Sequence, residues 1–93
     1  MGRVSRETIK KILAYTSKLC HIKISTEAGK FAGKRGWRVP ADQLRTCVKD
    51  IMAKIESEIA KNPDYSGTLD DAKILALLKS AFGFEIKPEW LRK

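Results

Sequence analysis

Leu44, Cys47, Val48, Ile51, Met52, Ile55 and Ile59 recur at intervals of three and four residues, and no other feature of this 93-residue sequence constrains the fold as strongly. A period near 3.6 residues sustained this long sets the apolar side chains on one stripe of an α-helix. Arg45, Lys49, Lys54 and Glu58 fall on its outer face. The helix is predicted from Pro40 to Lys61: proline suits a first helical turn, Asp42 lies near the positive end, and Pro63 follows the last turn. A helix with one apolar stripe needs other elements to cover it. Because a second independent core would need roughly 50 residues of its own, the chain is expected to be a single domain, residues 1–93.

The covering elements follow from shorter patterns. Ser5 is placed to cap a first helix in which Ile9, Ile12, Leu13 and then Leu19 and Cys20 repeat at helical spacing, giving an N-terminal helix within residues 1–20. His21-Ile22-Lys23-Ile24-Ser25 alternates polar and apolar residues over a short length and is predicted as an extended loop. Ser25 or Thr26 then caps a short second helix carrying Ala28, Phe31 and Ala32, with Gly29 and Gly33 inside it and Gly36 ending it. After Asn62-Pro63-Asp64-Tyr65-Ser66-Gly67, dense in turn formers, Thr68 and Asp71 read as a capping box. A last helix follows, with Leu69, Ala72, Leu75, Leu78 and Phe82 on its buried side, Leu77 widening the stripe, and Gly83 as its stop. Phe84, Ile86, Trp90 and Leu91 are too apolar for a free tail, so residues 83–93 are predicted to dock on the body or on a partner. The expected architecture is therefore all-α: a four-helix domain with its helical core over 25–82, a long central helix and a docked tail.

Charge points to a class of ligand. Residues 1–49 hold 12 Lys/Arg against three acids, whereas residues 50–93 hold seven against eight, so the net charge of +8 is concentrated in the first half. A diffuse excess serves solubility, but a local one builds a field that attracts phosphates. No apolar run approaches the roughly 20 residues that cross a bilayer, and charges come early at the N-terminus, so a cytoplasmic, nucleoid- or chromatin-associated protein without membrane attachment is expected. Cys20 and Cys47 lie on apolar stripes and are expected as reduced, buried thiols.

Catalytic and metal-binding patterns are not matched. His21 is the only histidine, its neighbour Cys20 points elsewhere by the geometry of adjacent residues, and Cys20, His21 and Cys47 lack the paired spacing that gathers zinc ligands. Gly29-Lys30-Phe31-Ala32-Gly33-Lys34 has too few residues between its glycines for a phosphate-binding Walker loop and no Ser/Thr after the lysine. A helix-turn-helix register places Asp42 and Arg45 where buried apolar residues are needed. No enzyme activity, metal or cofactor is expected.

The segment from Lys30 to Arg38 is the sharpest signal. Lys30, Lys34, Arg35 and Arg38 supply phosphate-binding charge, the intervening glycines permit close backbone approach, and Trp37 is placed to pack or stack against a ligand. Arg3, Arg6, Lys10 and Lys11 on the first helix add a second basic group. Arg3-Val4-Ser5, Lys23-Ile24-Ser25 and Arg38-Val39-Pro40 share a basic–apolar–cap pattern, and a cation beside free helix N–H groups is a favourable phosphate site.

Over residues 28–82, the succession of a short helix, Arg38-Val39-Pro40, a long helix, a loop ending in Thr68 and a helix opening with Asp71 resembles the histone fold of archaeal-type histones. That resemblance implies a homodimer in which two long helices cross and paired loops contact DNA phosphates. It carries Arg38 onto the basic first-loop position and Thr68 onto the second-loop threonine. The expected function is double-stranded DNA binding through phosphates with little sequence specificity. The alternatives are an RNA-binding module using the same charges, and an interaction or regulatory subunit using Phe84, Ile86, Trp90 and Leu91.

Overall fold

A computed structural model describes residues 4–29 and 38–91. Among them the chain is mostly helical: α1 (Arg6–Ala28), α2 (Ala41–Lys61) and α3 (Asp71–Phe82), then a 3₁₀ turn at Pro88–Leu91. The all-α class is as the sequence indicates. The helix count is not: three α-helices occupy the described residues, because the loop expected at 21–25 is part of α1.

The five alternating residues from His21 to Ser25 are too few to outweigh helix on both sides, and no glycine or proline interrupts the chain from Arg6 to Ala28. Lys23 and Glu27 pair one turn apart at 2.8 Å, which the helical spacing permits and an extended segment would not. Ser25 and Thr26 therefore sit in the last turn of α1 and cap nothing. Gly29 ends α1 at φ 58°, a backbone state open to glycine, with its N–H donating to the carbonyl of Thr26. The rest of the expected second helix, including Phe31, Ala32, Gly33 and Gly36, lies outside the described residues.

α1 and α2 form an antiparallel pair. Val4, just before α1, makes a parallel bridge with Gly67, beyond the end of α2, while Cys20 in α1 meets Cys47 near the start of α2. α3 and the tail close over this pair. The core is Ile12, Leu19 and Cys20 from α1, Ile51, Ile55 and Ile59 from α2, Leu69, then Ile74, Leu77, Leu78 and Ala81 from α3, and Ile86 from the tail.

In two helices the buried line keeps only part of the stripe that periodicity suggested: Ile12, Leu19 and Cys20 in α1 and Leu77 and Leu78 in α3 are buried as expected, and the rest of each line is shifted. In α1 the buried line is Thr8, Ile12, Thr16, Leu19 and Cys20, leaving Ile9 half-buried and Leu13 44% exposed. In α3 the buried set is Ile74, Leu77, Leu78 and Ala81, with Leu75 and Phe82 half-buried and Ala72 exposed. The unbroken run Ile74–Leu78 offers apolar side chains in every direction, so packing against α1 and α2 selects the face. The α3 cap also differs. Asp70 accepts from the N–H of Lys73 at 2.9 Å, and Thr68 instead places its hydroxyl 3.3 Å from that of Ser5.

Candidate nucleic-acid interface

The loop before α1 and the loop before α3 lie side by side. The N–H of Ser5 donates to the carbonyl of Gly67 at 2.8 Å, and Gly67 reaches the necessary turn at φ 67°. The Ser5 hydroxyl caps α1 by accepting from the N–H of Thr8 at 3.3 Å and donates to the Thr8 hydroxyl oxygen at 2.9 Å. That same oxygen accepts from the N–H of Leu69 at 3.3 Å. Ser5, Thr8, Gly67, Thr68 and Leu69, five residues from two distant stretches, thus make one hydroxyl-rich junction.

Basic residues flank this junction. Arg6 and Lys10 are one turn apart on the exposed side of α1, and neither is in an ion pair among the described residues. Lys11 differs: its ammonium holds Asp71 at 2.7 Å, and that hydrogen bond raises its pKa above the ordinary lysine value. Thr68 is exposed beside them, and Arg3 is outside the described residues.

Arg38 lies at the other end of the helix pair, exposed and ahead of the free N–H groups that open α2. It too is in no ion pair among the described residues, as is Lys49 further along α2. Arg45 is 3.8 Å from Asp42 on the same exposed face. Lys30, Lys34, Arg35 and Trp37 lie outside the described residues. Among the described residues, the expected phosphate contacts are not gathered in one place. Arg6, Lys10, Lys11 and Thr68 come together at one end, and Arg38 stands at the other, about 30 Å away by the rise of the 21-residue α2.

The apolar tail residues are used internally. Ile86 is buried, Phe84, Trp90 and Leu91 pack on the core, and Phe84 sits between Phe82 and Trp90 with ring centroids 5.5 and 6.4 Å away. The carbonyl of Leu91 accepts from the Lys18 ammonium at 3.3 Å. Among the described residues no cluster of His, Cys, Asp and Glu is placed to hold a metal ion, and no helix is long and apolar enough to cross a membrane.

Sequence reasoning missed one arrangement, the meeting of the Cys20 and Cys47 thiols. Its signal was present, since each cysteine lies on the apolar stripe of a helix and the two helices are joined closely enough to pack antiparallel. No protein-family model matches the sequence, and neither a curated protein nor a solved structure is similar to it.

Proposed function

We propose that the chain binds double-stranded DNA through its phosphates, with little sequence discrimination. The supporting observation is that the exposed cations left without an acid among the described residues include Arg6 and Lys10 at one end of the helix pair and Arg38 at the other. An arginine at the opening of each long helix adds its charge to backbone N–H groups that point the same way. The spacing of about 30 Å is close to one turn of duplex, roughly 34 Å, so a duplex laid along the pair meets both ends within a turn. A flexible single strand gains nothing from such spacing, which is the reason for preferring a duplex. Lys30, Lys34 and Arg35 precede Arg38 in the sequence, and Trp37 is its neighbour.

A histone-like homodimer belongs to this proposal in a restricted form. The loop around Gly67 and Thr68 is already bridged by Val4 of the same chain, so pairing it with the Arg38 loop of a second copy requires Val4 to leave. The protein-partner reading has less support, because the tail residues proposed for it are taken up in the chain's own packing.

Binding measured by fluorescence anisotropy over a salt series, with duplex DNA, single-stranded DNA and duplex RNA in competition, tests the reading. Log affinity for duplex DNA is expected to fall linearly with log salt. Arg6→Glu/Lys10→Glu and Lys34→Glu/Arg35→Glu/Arg38→Glu are each expected to weaken all sequences alike and to flatten the slope by about 1 for each phosphate-binding cation removed. Salt-independent affinity, or none for any duplex at low salt, refutes the proposal, and preference for RNA moves it to the A-form helix.

A further inference from the structure

Cys20 and Cys47 are 27 positions apart in the chain and belong to different helices, yet the Cys47 thiol donates to the Cys20 sulfur across only 2.6 Å. Both are free thiols. Two sulfurs sharing one metal ion, each bonded to it at roughly 2.3 Å, stand well over 3 Å apart at tetrahedral or linear angles. This approach therefore suits a sulfur–sulfur bond better than a shared ion.

The two thiols differ in access. Cys20 is fully buried, and that burial, followed by its hydrogen bond with Cys47, pushes its thiol well above the ordinary range. Cys47 is half-buried and lines a surface cavity of about 490 Å³ with Lys23, Asp42, Asp50 and Lys54. A small reagent entering that cavity reaches Cys47 and not Cys20. The Lys23 ammonium lies near enough to favour a Cys20 thiolate once it is needed.

We propose that Cys20 and Cys47 form an intramolecular disulfide by exchange with a small-molecule disulfide such as oxidised glutathione, with Cys47 as the entry thiol and Cys20 as the resolving one. Cys47 loses its proton to solvent and attacks one sulfur of the reagent. The reagent's S–S bond breaks, one thiolate leaves and takes up a proton, and Cys47 carries the mixed disulfide. Cys20 then loses its proton and attacks the Cys47 sulfur, expelling the second small thiolate, which is protonated in turn. Two protein thiols are oxidised and one small disulfide is reduced to two thiols. The new bond fastens α1 to α2 and closes a ring that contains the basic segment from Lys30 to Arg38.

Titration of the reduced full chain with oxidised glutathione, followed by intact mass and thiol alkylation, tests this. The wild type is expected to lose two hydrogens in mass, keep no free thiol, remain monomeric on a non-reducing gel, and unfold roughly 10 °C higher or more. Cys20→Ala is expected to stop at one glutathione on Cys47, and Cys47→Ser to leave Cys20 unmodified while folded. A wild type that retains glutathione, links only between chains, or reacts no differently as Cys47→Ser overturns the proposal. Because the new bond locks the packing of α1 on α2, which holds Arg6 and Lys10 at one end and Arg38 at the other, the oxidised chain is expected to bind duplex DNA several-fold more tightly at fixed salt. This last step rests on the nucleic-acid reading. Equal affinity of the two forms overturns it, whereas a bond that forms in a chain binding no duplex counts against that reading alone.

Discussion

Thr8 and Thr16 lie two turns apart on the buried side of α1, and the same substitution is expected to act on them with opposite sign. The Thr8 hydroxyl oxygen accepts from the N–H of Leu69 and from the Ser5 hydroxyl, so Thr8→Val strands a buried donor and is expected to cost about 1–3 kcal/mol. The Thr16 hydroxyl oxygen is buried with no hydrogen-bond partner among the described residues. Valine at that position fills nearly the same volume without the polar atom. Thr16→Val is expected to stabilise the chain by about 1 kcal/mol, raising the unfolding midpoint by roughly 4–8 °C. Urea and thermal unfolding of the two variants read both effects, and a destabilised Thr16→Val would show that the hydroxyl is satisfied after all.

At the scale of elements, the continuity of α1 distinguishes the structure from the break expected at 21–25. His21 is exposed within the helix, so its side chain matters little and its backbone N–H matters a good deal. His21→Ala is expected to be close to neutral, whereas His21→Pro removes a helical hydrogen bond, crowds the preceding turn and is expected to cost about 3 kcal/mol or more. A proline tolerated there would mean a loop. Asp70→Ala is expected to cost about 1 kcal/mol through loss of the α3 cap, while Thr68→Ala leaves that cap in place, and chemical denaturation separates the two. The bounds of α2 were legible because proline and asparagine mark its ends and its stripe has a single period. Those of α1 were obscured by a five-residue stretch whose pattern fits strand or helix, and such a stretch takes the state of its surroundings.

Over the whole molecule, a two-helix hairpin of this size buries too little to be stable alone, and α3 with the tail supplies the remaining cover. Ile86 is the buried residue by which the tail joins the core. Ile86→Ala is expected to cost about 2 kcal/mol or more in global unfolding, an effect that a free tail would not produce. The charge distribution belongs to this scale as well. The antiparallel run of α1 and α2 divides a basic half-sequence between two ends about 30 Å apart, so reversals at Arg6/Lys10 and at Arg38 are expected to add in their effect on duplex affinity. Part of the candidate interface could be read from charge counts. Its division could not, because adjacency in sequence does not state which way the chain returns.

The sequence by itself determined the helical class, the position of α2, the bounds of α3 within a residue or two, and the concentration of positive charge in the first half. Each follows from local composition or from one unambiguous period. Only the tertiary structure decided which faces of α1 and α3 turn inward, that α1 runs on to Ala28, that Thr68 meets Ser5 instead of capping α3, and that the two thiols touch. These outcomes depend on pairings such as Val4 with Gly67 and Cys20 with Cys47, between residues far apart along the chain. Where an apolar run or a short alternation permits more than one local arrangement, the arrangement that buries most surface against a distant partner prevails.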